Sequence, residues 1–327
     1  MNNNLRERIF SIRNQSEFTQ TAIDVFRYQY EKNTVYRDFA NHLKISPAEV
    51  SRIEDIPFLP IELFRNHIIL SARFPVDIIF ESSGTTDSTP GRHFVKDLSL
   101  YEESFLRTFR QFYGEPDDFI IGALLPSYTE RRGSSLVYMA NTLIKRSNNK
   151  VSGFYRDDVA DFIKKAGEAK VRKVLLLGVS FALLDLAEKK SPDLSGFTVM
   201  ETGGMKGRRK EITRAELHEI LRAKFNVTGI HSEYGMTELM SQAYSQGDGI
   251  FYSPPWMKVL IRDPQDPLTI YDETGRTGGI NLIDLANINS CSFLATGDLG
   301  KLNDDGGFEV TGRFDNSDIR GCNLMVL

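Results

Sequence analysis

The chain of 327 residues carries 40 Lys and Arg against 44 Asp and Glu, a formal net charge of -4, and 41% of it is hydrophobic. That length exceeds one ordinary domain and allows a sizeable core, and no basic run supports nucleic-acid binding. Residues 1–8 lack the pattern of a secretory signal, no apolar stretch is long enough to span a bilayer, and two cysteines, Cys291 and Cys322, cannot build a disulfide framework. The expectation is a cytoplasmic protein with free thiols.

Residues 1–74 read mainly as helix. Ser16 can cap a helix with Phe18, Ala22, Val25 and Phe26 on one side. Ser46-Pro47 offers a second helix start, with proline in the first helical position. Pro57 and Pro60 then interrupt the pattern. Over 75–246 strands and helices alternate. Strands are expected at 76–80, 119–125, 174–177 and 197–200. Helices are expected from Asp97 to near Gly114, and over 134–146, 157–166 and 181–189. Thr213 and Glu216 form a capping box for a further helix reaching Phe225, and 229–231 leads into the next turn. This alternation predicts an α/β domain with a mostly parallel sheet. Over 247–327 the helical signal disappears. Short strands at 258–261, 279–284, 293–295 and 308–311 are separated by turns, including the hairpin turn 303–307, which predicts a small β-rich subdomain.

Four short stretches carry chemistry. The first, 82–91, follows a strand and holds Ser82, Ser83, Gly84, Thr85 and Thr86. Hydroxyls and backbone N–H groups at that density can wrap a polyphosphate, and glycine permits close approach. No Gly-Lys-Ser/Thr ending makes it a Walker loop, and alone it reads better as a solvated Ser/Thr loop. The second, Tyr234-Gly235-Met236-Thr237-Glu238, presents an aromatic face, a hydroxyl and a carboxylate within five residues. It can stack a base, meet a phosphate oxygen and hold Mg²⁺, or be only a tight turn opening a helix. The third is Thr296-Gly297-Asp298, a carboxylate at a strand end that can accept ribose hydroxyls or sit in a plain hairpin. The fourth, Gly312-Arg313, brings a guanidinium to ribose or phosphate, or makes a surface salt bridge.

Together and in this order, Ser83-Gly84-Thr85-Thr86, Tyr234 to Glu238, Thr296 to Asp298 and Gly312-Arg313 resemble the hallmark elements of the adenylate-forming superfamily of acyl-CoA synthetases, peptide-synthetase adenylation domains and luciferases. The resemblance runs from about Val76 to the C-terminus and places Gly203-Gly204 in the adenine-pocket loop. It implies the N-terminal domain of such an enzyme, with layered α/β sheets and a β-rich subdomain. It implies ATP and Mg²⁺ as cofactors and a carboxylic acid as substrate. By the same resemblance Ser83, Thr85 and Thr86 hold the leaving pyrophosphate, and Ser82 and Gly84 belong to the same ATP-binding loop. Tyr234, with Gly235, stacks on adenine, Thr237 touches the α-phosphate, Glu238 holds Mg²⁺, and Asp298 and Arg313 grip the ribose.

Two departures stand out. Asp87 and Gly91-Arg92 replace parts of the usual phosphate loop, and Arg92 can restore its positive charge. The usual mobile C-terminal domain and its lysine are also expected to be lacking, since the sequence stops at Leu327. With Arg320-Gly321-Cys322 near that end, the chain is similar to the acyl-protein synthetases, the long-chain-fatty-acid–luciferin-component ligases, relatives of phenylacetate–CoA ligase. That likeness implies transfer of a fatty acyl group from acyl-AMP to Cys322 and on to an acyl reductase partner. Cys322 read alone is a small apolar residue, and Cys291 belongs to no motif. An acid–CoA ligase working with a separate C-terminal part and a silent nucleotide-binding scaffold are the alternatives. The loop 125–133 reads as either an acyl-pocket edge or plain surface.

Overall fold

A computed structural model describes residues 2–72, 75–82, 89–127, 129–156, 158–169, 172–203 and 212–314. Ser83, Gly84, Thr85, Thr86, Gly204 and Cys322 lie outside the described residues. The chain divides into two compact units, 80–90 with 99–251, and 1–79 with 91–98 and 252–327.

The first unit is built on a sheet with spatial order Gly153–Phe154, Phe119–Leu124, Lys173–Val179, Phe197–Thr202, His231–Tyr234 and Ala243–Ser245. The first five strands run parallel and the last is antiparallel. Phe119–Leu124 is buried along its whole length, and Lys173–Val179 is buried apart from its first residue. Such runs are what a parallel sheet covered on both faces requires. Helices Val159–Gly167, Ser180–Lys189 and Arg214–Phe225 supply Phe162, Leu183, Leu184, Leu217, Leu221 and Phe225 to the core formed with Ile120, Leu124, Val174, Leu176 and Val199. Gly122 is needed at the closest approach, because a Cβ there would stand 2.5 Å from the Phe162 ring. The expected capping box forms: Thr213 Oγ1 accepts from Glu216 N at 3.2 Å, and Thr213 N donates to Glu216 Oε2 at 2.8 Å. The stretch 229–231, expected to lead into a turn, leads first into the strand His231–Tyr234.

The second unit holds a meander of four antiparallel strands, Met257–Arg262, Gly278–Asp284, Phe293–Leu302 and Phe308–Arg313, with Leu59–Pro60 added parallel to the third. The hairpin at 303–307 closes as expected, with Asn303 N donating to Gly307 O and Gly306 at φ 84°. The third strand is longer than expected and is out of register in its middle. Asn281 pairs with Ala295 and Gly279 with Leu299, so one residue, Ile280, faces the three residues Thr296, Gly297 and Asp298. Bulges of this kind bend a strand and re-aim its side chains.

Helices Gln15–Lys32 and Thr34–His42 pack on this meander through Phe26 and Tyr36, whose rings lie 6.2 and 5.9 Å from Phe293. Two expectations are corrected in this part. Asn14, not Ser16, caps the first of these helices: its side chain accepts from Glu17 N at 2.9 Å, while Glu17 Oε2 accepts from Arg13 N. Ser46-Pro47 opens only a turn, in which Ser46 Oγ accepts from Ala48 N and Ser46 O from Glu49 N. The next residue, Val50, is buried, and the chain leaves the turn there. The strand expected at 76–80 is found at Ile78–Glu81.

Candidate active site

Gly203 follows the strand Phe197–Thr202, and 235–238 follows the neighbouring parallel strand His231–Tyr234. Both stretches therefore sit at carboxyl ends, where open α/β sheets bind their ligands. The stretch after Tyr234 does not open a helix, as one reading of the motif had it. Leu239 N closes a turn on Met236 O at 3.1 Å, and the chain returns as the antiparallel strand Ala243–Ser245. Gly203 and Gly235 are exposed, Met236 and Thr237 half-buried, and Glu238 buried. A Cβ at Gly235 would crowd the Glu233 carboxylate, so a larger residue there requires that side chain to shift. The Tyr234 ring is buried and packs at 5.8 Å from Phe251.

Beneath these strand ends lies a buried polar network that sequence reasoning missed. Glu201, 2% exposed, receives Arg214 Nε at 3.1 Å and Ser180 Oγ at 3.0 Å, with His218 Nε2 at 3.6 Å. Burial alone would raise the Glu201 carboxyl, but His218, Arg214 and Ser232 outweigh it and hold the group below the usual carboxylate range. Ser180 Oγ is also 2.9 Å from Gly203 O, so one hydroxyl serves both the carboxylate and the glycine. Thr202 Oγ1 donates to Glu233. The Arg214 guanidinium lies 4.8 Å from the centre of the Phe251 ring, the same ring that packs on Tyr234. The cap at Thr213 was the only local signal near Arg214, and no pattern in the sequence joins that residue to Glu201.

In the second unit, Asp298 is not at a strand end but inside the strand Phe293–Leu302, at the bulge. It is 5% exposed, and its Oδ1 accepts from Arg313 Nε at 3.0 Å. The two residues expected to meet the ribose are thus cross-strand partners in register. The Arg313 side chain is 84% exposed and can turn to another partner at little cost. Asp298 N donates to Thr296 Oγ1 at 3.1 Å, and Phe314 N donates to Gly297 O at 2.9 Å. Arg92, the candidate for a replacement cation, lies on the strand Arg92–Val95 with its guanidinium 5.6 Å from the Phe94 ring. Its buried Nε has no hydrogen-bond partner among the described residues.

Cys291 is fully buried, donates its S–H to Phe293 O at 3.4 Å, and burial pushes its thiol up to about 12. It is chemically inert at neutral pH. Among the described residues no group of three or more His, Cys, Asp or Glu could hold a metal ion, and no helix is long and apolar enough to cross a membrane.

The mixed α/β fold is that of the N-terminal domain of adenylate-forming enzymes. ATP-bound MatB from Rhodopseudomonas palustris superposes with a TM-score of 0.52 at 21% identity, over 75% of this chain and 48% of that one. Apo MatB from the same organism gives 0.50 at 20% identity, over 84% and 52%. The luciferase-like enzyme of the nonluminescent mealworm Zophobas morio gives 0.51 at 16%, over 74% and 58%. The chain spans about half the length of these structures. No known protein family and no curated protein matches it.

Proposed function

We propose that this protein activates a carboxylic acid with ATP as the acyl-adenylate. The observation that carries the reading is the Tyr234 to Glu238 turn, with a hydroxyl and a buried carboxylate, at the carboxyl end of a parallel strand in a fold similar to ATP-bound MatB. A carboxylate carbon resists direct attack because its oxygen is a poor leaving group. One carboxylate oxygen instead attacks the α-phosphorus, the new O–P bond forms, and the bond to the β-phosphate oxygen breaks to release pyrophosphate. Charge accumulates on the phosphate oxygens and has to be met by fixed donors. Thr237 and the Ser82 to Thr86 loop supply hydroxyls and N–H groups to that charge, and Asp298 and Arg313 hold the ribose.

A single carboxylate beside a hydroxyl suits Mg²⁺, which keeps waters and takes substrate phosphate oxygens as its other ligands. Glu238 would hold the ion. When bound, it neutralises phosphate charge as a Lewis acid.

The finer reading is a long-chain fatty acid as substrate and Cys322 as acceptor. It is supported by the motif likeness and by the inertness of Cys291, which leaves Cys322 as the other thiol of the chain. The Cys322 thiolate would attack the acyl carbon, the C–S bond would form, and AMP would depart with the mixed-anhydride oxygen. An acyl-accepting partner protein would then take the acyl group.

Pyrophosphate exchange driven by a panel of acids tests the first step. Fatty acids should support exchange, and Thr237→Ala and Glu238→Gln should each lower it by about 10²–10³-fold. No exchange with any acid would sink the reading, and formation of acyl-CoA by this chain would redirect it. For the second step, labelled fatty acid and ATP should leave a hydroxylamine-sensitive label that Cys322→Ser abolishes. Label retained in that variant would remove Cys322 from the mechanism.

A further inference from the structure

The bulge that carries Asp298 is pinned from behind by Arg262, the last residue of the strand Met257–Arg262. Arg262 is 7% exposed, so its guanidinium sits inside the sheet unit rather than in solvent. Its Nη2 donates to Thr296 O at 2.6 Å, and its Nη1 donates to Ile280 O at 2.7 Å and to Asn281 Oδ1 at 2.8 Å. Thr296 and Ile280 are two of the residues that the register shift takes out of the paired ladder. Thr296 Oγ1 donates to the same Ile280 O at 2.9 Å and accepts from Asp298 N at 3.1 Å. The guanidinium face also lies 5.3 Å from the Phe314 ring, one residue beyond Arg313.

Two neighbours are shaped around this side chain. A Cβ on Gly279 would stand 2.6 Å from Arg262 Cζ, so only glycine leaves room. Asn281 turns its carbonyl to the guanidinium and leaves its buried Nδ2 without a partner among the described residues. Leaving a buried donor unsatisfied is costly. The amide thus presents its acceptor, Oδ1, to the guanidinium.

We propose that Arg262 is a positioning residue for nucleotide binding: through Thr296 O, Ile280 O and Phe314 it holds the Asp298 carboxylate and the Arg313 backbone in the geometry that receives a ribose. This rests on the reading of Asp298 and Arg313 as the ribose site. A planar guanidinium is required because its donors diverge in one plane and its face remains available for an aromatic ring, which a lysine ammonium cannot reproduce.

The test uses Arg262→Gln and Arg262→Lys in the full chain, with pyrophosphate exchange and calorimetric titration of ATP. In Arg262→Gln the KM and Kd for ATP should rise about ten- to hundredfold, with kcat within about threefold and the KM for the acid unchanged. Arg262→Lys, which keeps the charge and part of the donor set, should fall between Gln and wild type. Adding Arg262→Gln to Asp298→Asn should weaken ATP binding little further, because residues acting through one another are not additive. Wild-type ATP affinity in a folded Arg262 variant, or equal losses for ATP and acid, would overturn the proposal while leaving acid activation standing. If Arg262→Gln does not fold, Arg262→Lys decides by the same readings. Wild-type protein that binds ATP without any exchange would instead sink acid activation, and the Kd series would still decide the role of Arg262.

Discussion

Glu201 is ionised where water is excluded because Arg214, His218 and two serines surround it. A carboxyl whose folded pKa lies below its unfolded value contributes stability that is complete above the unfolded value and is lost as pH falls through the folded one. For Glu201 that loss begins near the ordinary value of 4.5 and continues below it. His231 acts at higher pH on the same side. Burial, then the nearby His218, lowers its pKa from 6.5, so its neutral form is favoured in the fold and stability begins to fall as pH drops below 6.5. Acid unfolding followed by circular dichroism should therefore show a first decline below pH 6.5 that His231→Gln reduces. A second decline below pH 4.5 should be reduced by Glu201→Gln. A midpoint unchanged in both variants would contradict this account.

At the scale of elements, the helix Arg214–Phe225 shows how a local signal can set a distant contact. Its reciprocal cap between Thr213 and Glu216 fixes where the helix begins, and the next residue, Arg214, is thereby aimed at Glu201 and Phe251. Removing a side-chain cap costs about 1 kcal/mol. Thr213→Ala should lower the midpoint of thermal unfolding by about 2 °C, as read by calorimetry, and Thr213→Ser should restore it. The box was legible because its two residues are three apart. The same logic misplaced the first long helix, where Ser16 satisfies the composition rule but Asn14 accepts from Glu17 N, while the Glu17 carboxylate accepts from Arg13 N. Ser46-Pro47 also met the rule. A start signal propagates only if an amphipathic face follows, and there the chain instead turns away at the buried Val50.

For the molecule as a whole, the α/β alternation and the β-rich end were readable because strand and helix periods repeat within a few residues. The order of the parallel strands, the fold shared with ATP-bound MatB and the partners of buried charges were not. Tyr234 to Glu238 and Thr296 to Asp298 were recognised as short runs of chemistry-bearing side chains. Arg262, the second cation of the strand Met257–Arg262 after Lys258, carried no such mark. The amino-acid sequence alone determined the α/β alternation and the β-rich end, the capping box, the hairpin at 303–307 and the identity of the motif residues, since each depends on neighbours in the chain. Only the tertiary structure decided that Arg214 meets Glu201, that Asp298 sits on a bulge rather than a strand end, and that Arg262 reaches a carbonyl 34 residues away. Those pairings follow from sheet register and from the need of buried polar groups for partners, and both are set by which surfaces exclude water once the chain has packed.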